Sequence, residues 1–318
     1  MADFLSKFRY KKRVSGCVLL LVWMLSSCSS LTTSQLAAVR AYAEATKQYS
    51  RFPGQMIEDY VEVQSKIFLL GSPLIANPDR AANRIFSHHV EKTAILEEAE
   101  KMDLAFAMLR EYAIWLEILA SRDHPASISS GAGDMGDNLD YLIGRYNERF
   151  NTDIPVGLGN IAQRSLVMAG SRFLDRKRAE YLREYLEKGT PIIREITETT
   201  KTFLEENVSG EWLQGMDKQL KSAHTGVRRQ VLTDTSRFPS NSFSIIQLDT
   251  QVDGLYDEIS RLKKTNDNLI ASIGTLYPAH QATLSQIQEK KKLTEILGEV
   301  SVLVHDVRNL MDLYHDLP

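Results

Sequence analysis

Residues 245–276 read IIQLDTQVDGLYDEISRLKKTNDNLIASIGTL. Within them Ile245, Leu248, Val252, Leu255, Ile259, Leu262, Asn266, Leu269, Ile273 and Leu276 recur at alternating steps of three and four. That spacing keeps one helical face apolar throughout, with β-branched residues mostly at a and Leu mostly at d. At 1.5 Å per residue the helix is about 48 Å long. Pro278 is placed to turn the chain. A second helix then runs to the C-terminus through Leu293, Leu297, Val300, Val304, Val307, Met311 and Tyr314, its phase slipping across Glu289 to Lys292. Residues 243–317 thus read as a long, coiled-coil-like helical hairpin, packed on the rest of the chain or extending from it.

Asn266 sits at an a position, where a polar residue sets register at a cost in stability. It is the candidate residue for helix-pairing specificity. One reading has it facing its mate in a parallel homodimer. The other packs it against the returning helix or the N-terminal helices, and the turn at Pro278 favours this one by supplying a neighbour.

Upstream, residues 34–234 read as a bundle of amphipathic helices. Thr33 or Ser34 caps a helix to about Ser50, and Pro53 starts another that stops at Gly71. A long helix follows from about Asp79 to Ser121, with a seam of Ala99, Met102, Phe106, Leu109, Ala113, Leu116 and Ala120. Between Leu104 and Ala120 only Arg110, Glu111 and Glu117 are charged, as expected of a helix in the middle of a bundle. Ser127 to Gly136 reads as a flexible loop and Asp137 to Phe150 as a short helix. A further helix spans about Asn160 to Lys188, with Gly189 ending it and Thr190 and Pro191 starting the next. Another covers about Gly210 to Thr233, and Asp234 to Ser242 is the internal boundary. No strand-like alternation of useful length occurs, so the expected class is all-α.

The first 27 residues are of another kind. Lys7, Arg9, Lys11, Lys12 and Arg13 stand against the single acid Asp3, and Cys17 to Leu25 is an unbroken apolar run. Basic residues, a short apolar segment and small residues after it make an export signal. The run is too short to cross a bilayer, which needs about 20 residues.

Leu25-Ser26-Ser27-Cys28 resembles the lipobox of bacterial lipoproteins: an aliphatic residue, two small residues, then cysteine. The resemblance implies cleavage between Ser27 and Cys28, diacylglyceration of the Cys28 sulfur and acylation of its new amino group. It covers only these first residues and says nothing of the mature fold. Two or more acyl chains anchor stably where one does not, so the mature protein is expected on its membrane by lipid alone, with residues 28–33 as a short tether. In Gram-negative lipoproteins an Asp after the cysteine retains the protein at the inner membrane. Ser29 in that place implies the outer membrane, with the bundle facing the periplasm.

Losing the leader removes five cations and one anion, taking the net charge from −3 to −7. That argues against nucleic acid as a partner, which calls for a basic face. Cys17 leaves with the leader and Cys28 carries lipid, so no intramolecular disulfide is expected and the fold rests on core burial.

A search for chemistry returns little. His88, His89 and Glu91 cluster in sequence, and His305, Asp312 and His315 lie near one helical face, but no Glu-x-x-His of a di-iron bundle occurs. Ser129-Ser130-Gly131 lacks the strand before a nucleophile elbow. Gly157-Leu-Gly159 lacks the third glycine of a dinucleotide fingerprint. Glu97-Glu98 and Glu205-Glu206 fit solvated helix surfaces, and Trp115 and Trp212 fit a core. No catalytic, cofactor or metal site is therefore expected beyond the lipid on Cys28.

The functional expectation is a membrane-tethered, non-enzymatic scaffold or interaction module of the bacterial envelope, contacting a protein partner or itself through its long helices. Alternatives are a sensory bundle holding a ligand or metal among residues 102–116, and an α-helical pore-forming or membrane-remodelling protein.

Overall fold

A computed structural model describes residues 31–121, 126–167, 174–233, 242–289 and 293–315. The leader, Cys28 and the boundary segment 234–241 lie outside the described residues. Every long described segment is helical, and no strand occurs among the described residues, so the chain is all-α. The helices are α1 (Thr33–Tyr49), α2 (Phe52–Gly71), α3 (Pro78–Ala120), α4 (Ala126–Phe150) and α5 (Leu158–Val167). They are followed by α6 (Leu174–Thr202), a π-helical segment (Phe203–Leu213), α7 (Gln214–Thr233), α8 (Ser242–Glu289) and α9 (Leu293–His315).

The N-terminal boundaries follow from capping. Thr32, one residue before the expected caps, accepts from Gln35 N (3.2 Å), while Gln35 Oε1 accepts from Thr32 N (2.9 Å). This reciprocal pair satisfies two donors that the first turn would leave bare. Asn77 caps α3 by accepting from Arg80 N at 3.0 Å, with Pro78 in the first turn, where its missing N–H costs nothing.

The centre of the molecule is the second half of α3. All seven seam residues from Ala99 to Ala120 are buried. Met108, Tyr112 and Trp115 are fully buried on the other sides, because α1, α2, α4 and α6 surround this half. The first half, up to about residue 94, is mostly exposed.

α8 is the second organiser. It packs along α9, α6, α2, α7, α1 and the π segment. Leu248, Val252, Leu255, Ile259, Leu262, Asn266, Leu269, Ile273 and Leu276 are all buried, and Ile245 is half-buried.

The structure departs from the sequence reading at Pro278, which does not turn the chain. α8 runs through it to Glu289, giving 48 residues and a length of about 72 Å. Pro278 forfeits one backbone bond, to the carbonyl of Gly274. Burial beyond it outweighs that loss: His280, Thr283 and Ile287 carry the same seam onward in phase and are buried. Two of these three are polar, which is why the pattern looks finished at Leu276. α8 thus ends at Glu289, at the start of the phase slip, and α9 packs back along it from Leu293. In α9 the deepest stripe is Val300, Leu303, Val307 and Leu310, while Val304, Met311 and Tyr314 are half-buried beside it.

Pro191 likewise lies inside a helix. α6 continues through it because Leu186, Ile192, Ile193 and Ile196 form one buried face that a break would disrupt. Gly189 is not a helix stop. The Tyr112 ring lies on it, and a Cβ built there would stand 2.3 Å from Tyr112 Cε2. Ser127 to Gly136, expected as a loop, is the first part of α4.

No separate helix begins at Gly210, because the π segment joins α6 to α7. Its buried residues are Leu204, Val208 and Leu213. Steps of four and five fall on one face of a π-helix, at about 4.4 residues per turn, whereas an α-helix would turn Leu213 to the far side. The wider winding is what lets all three reach the core.

Candidate functional site

Three places stand out in the molecule: the expected lipidation segment, the polar joint in the core and the open end of α3. Ser27 and Cys28, the expected cleavage and lipidation residues, lie outside the described residues. Only four residues, 29–32, separate Cys28 from the first residue of α1. Gln35 ties that end down by donating from Nε2 to the Gln286 carbonyl of α8 at 3.0 Å.

Asn266 is fully buried within its own chain. Its Nδ2 donates to Ser209 Oγ at 2.6 Å and reaches the Leu204 carbonyl at 3.5 Å, both in the π segment. The neighbour it selects is therefore neither the returning helix nor the N-terminal helices. An a-position amide offers donors that π winding, with its displaced carbonyls, can meet.

The polar joint links four helices. Tyr112 Oη (α3) lies 2.9 Å from His280 Nε2 (α8), and Tyr185 Oη (α6) donates to the Tyr112 carbonyl at 3.3 Å. Tyr112 and Tyr185 stack at 5.1 Å, while Tyr42 (α1) meets the His280 ring edge-on at 5.7 Å. All four residues are fully buried. Burial lowers the His280 imidazole to about 3 and raises all three phenols. The imidazole is thus neutral at ordinary pH, and the tyrosines stay protonated. With no solvent-exposed member, the group works as a joint between helices, not as an acid–base pair.

The remaining sequence candidates are scattered. His305 approaches Asn309 Nδ2 at 3.1 Å, and Asp312 is exposed. No group of three metal-ligating side chains forms among the described residues. Glu98 pairs with Lys101 at 2.5 Å and Glu205 with Lys201 at 3.8 Å, both on surfaces. Ser129 to Gly131 lies within α4. Gly157, at φ +113°, and Gly159 give their N–H groups to Asp140 Oδ1 at 3.0 and 3.1 Å, which caps the start of α5. Trp115 is core, and Trp212 stacks on Tyr60 at 5.0 Å. Met102, Phe106, Met108 and Tyr112 are packed core residues.

His88 and Glu91 do acquire a setting that their sequence proximity only hinted at. The first half of α3, the end of α2 and α7 enclose a cleft of about 580 Å³, and His88 and Glu91 line it with Gln64, Arg84 and Lys218. His88 stacks on Phe68 at 4.1 Å and lies 3.4 Å from Ser65 Oγ; burial lowers its pKa. Gln64, Arg84 and Lys218 come from distant positions with no shared motif, so no local pattern marks them.

No helix among the described residues is long and apolar enough to cross a membrane. No protein-family model, no curated protein and no solved structure matches this chain.

Proposed function

We propose that the chain is a lipid-anchored, non-enzymatic helical scaffold of the bacterial cell envelope, held at the outer membrane with its bundle in the periplasm. The observation that carries this reading is Leu25-Ser26-Ser27-Cys28 behind a basic, apolar leader. The four-residue tether supports it, since fully extended it spans about 14 Å. A bundle on so short a leash stays next to the bilayer and presents its flanks along the membrane. The strongest pKa shifts belong to sealed core groups, which supports a structural rather than catalytic use of those side chains.

The working surface in this reading is the exposed first half of α3 with the end of α2, where Leu69, Ile85, Phe86 and Val90 stand open. A protein partner is the natural occupant for a scaffold of this kind.

Intact mass of the native protein tests the anchor. A mature N-terminus at Cys28 bearing acyl chains is expected, with the Cys28→Ser precursor unprocessed and released from membranes. A native N-terminus elsewhere, without lipid, overturns the reading. Crosslinking in cells with identification of neighbours then tests the scaffold role.

A further inference from the structure

The open half of α3 lies beside a gap between helices. α2 packs against both α3 and α7, but among the described residues α3 and α7 form no packed interface with each other. The cleft of about 580 Å³ lies between these two, with α2 as its floor. Gln64 meets Glu91 at 3.2 Å and Arg84 lies 5.8 Å over the Phe68 ring, so α3 runs antiparallel to α2 here. Tyr60 stacks on Trp212 at 5.0 Å, and a Cβ built on Gly71 would stand 3.4 Å from Ala223 Cβ, so α7 runs parallel to α2. Two helical walls thus flank a floor that is about 15 Å long from Gln64 to Leu74.

The floor is apolar. Ile67 is buried, Phe68 is half-buried and Leu74 is 37% exposed, with Gly71 and Ala223 leaving the middle low. The walls carry charge mostly of one sign. On α3, Arg80 and Arg84 stand one turn apart, and both are exposed. On α7, Lys218, Ser222 and Arg229 follow the spacing of one helical face, and both cations are exposed. Among the described residues, none of these four cations forms an ion pair. The acid on the cleft lining is Glu91, already engaged by Gln64 Nε2, while Asp217 beside Lys218 is held by Lys263 of α8.

We propose that the cleft receives one amphipathic helix of a partner protein, apolar along one stripe and acidic on both sides of it. The stripe lies over Ile67, Phe68 and Leu74, and its acidic flanks meet Arg80 and Arg84 on one wall and Lys218 and Arg229 on the other. Three turns of helix, with apolar residues every three or four positions, match the length of the floor. A basic helix would face four cations. A lipid surface is flat and would span the walls without reaching the floor, and a lone small anion would leave the floor bare. This inference rests on the reading of this end as a protein-binding surface, and it does not depend on the lipid.

Fluorescence anisotropy of the full-length chain tests it with a labelled 18-residue helical peptide, leucine at every third or fourth position and glutamate elsewhere. Two controls accompany it: the same peptide with lysine for glutamate, and one interrupted by a central proline. Saturable binding of the acidic helix is expected, with both controls at least about tenfold weaker. The double variant Arg84→Glu, Lys218→Glu, at exposed positions where folding is not at stake, should reverse the preference towards the lysine peptide. Ser222→Trp should block the cleft, and Arg308→Glu, on α9, should change nothing. No saturable binding of the acidic helix overturns the proposal, as does equal binding of either control or indifference to the double variant. Ser87→p-benzoylphenylalanine, crosslinked in cells, separates this outcome from failure of the partner reading. A protein adduct without peptide binding leaves the partner reading and removes the acidic helix; a lipid adduct, or none, overturns both.

Discussion

The two halves of α3 are one continuous helix with opposite fates. From Ile95 to Ala120 it is wrapped by α1, α2, α4 and α6, and Tyr112 and Trp115 are wholly enclosed. From Pro78 to about residue 94 it has α2 beside it and open cleft or solvent elsewhere, with Phe86 at 69% exposure. Polar groups behave differently in the two halves. In the enclosed half Tyr112 meets His280, while Trp115 Nε1 is sealed in the core without a partner. In the open half Arg84 has no carboxylate partner and lines an open cleft. The enclosed half provides stability, and the open half is where recognition can occur.

Substitution at matched positions breaks or sharpens that contrast. Leu116→Ala, in the enclosed half, should lower stability by about 3 kcal/mol through lost burial and the cavity left behind. Urea unfolding followed by circular dichroism measures it. A loss below about 1 kcal/mol would mean that this half is not the packed centre described.

Acidification probes the joint next. His280 takes up a proton at about 3 in the folded chain against 6.5 when unfolded. Between those values the unfolded state binds more protons, so stability falls as pH drops from 6.5 towards 3, by up to about 1.4 kcal/mol per unit. His280→Gln removes this titration. A steeper unfolding-midpoint slope for the parent chain than for His280→Gln is expected, and parallel slopes would place His280 in water.

Gly189→Ala gives a smaller effect whose sign is informative. In an ordinary helix interior, alanine stabilises by about 1 kcal/mol over glycine. Here its Cβ would press on the Tyr112 ring, so a loss of about 1–2 kcal/mol is expected. A gain in thermal midpoint would contradict the close contact. Smallest of all, Phe86→Ala in the open half should change stability by no more than about 0.5 kcal/mol. A larger loss would show that this half is covered after all.

The regular heptads of α8 and the seam of α3 were legible from residues alone, because long apolar periodicity has one helical solution. The errors cluster where a local breaker meets a buried face. Pro278, Pro191 and the glycine-rich start of α4 all carry stop signals, and the chain stays helical through each. At both prolines the flanking buried side chains outweigh the single lost hydrogen bond. The π segment was invisible for a related reason: steps of four and five read as an interrupted α pattern. Of the cleft, sequence proximity marks only His88 and Glu91, since residues 64, 84 and 218 share nothing until three helices are placed side by side.

By itself, the amino-acid order determined the all-α class, the long central helix α3 and the heptad seam of α8 as far as Leu276, all of which depend on near neighbours along the chain. Tertiary structure alone decided where helices continue through proline, which partner Asn266 finds, and that a carboxylate and two free cations line one cleft. Burial and charge pairing act between residues far apart in the chain, and no local pattern records them.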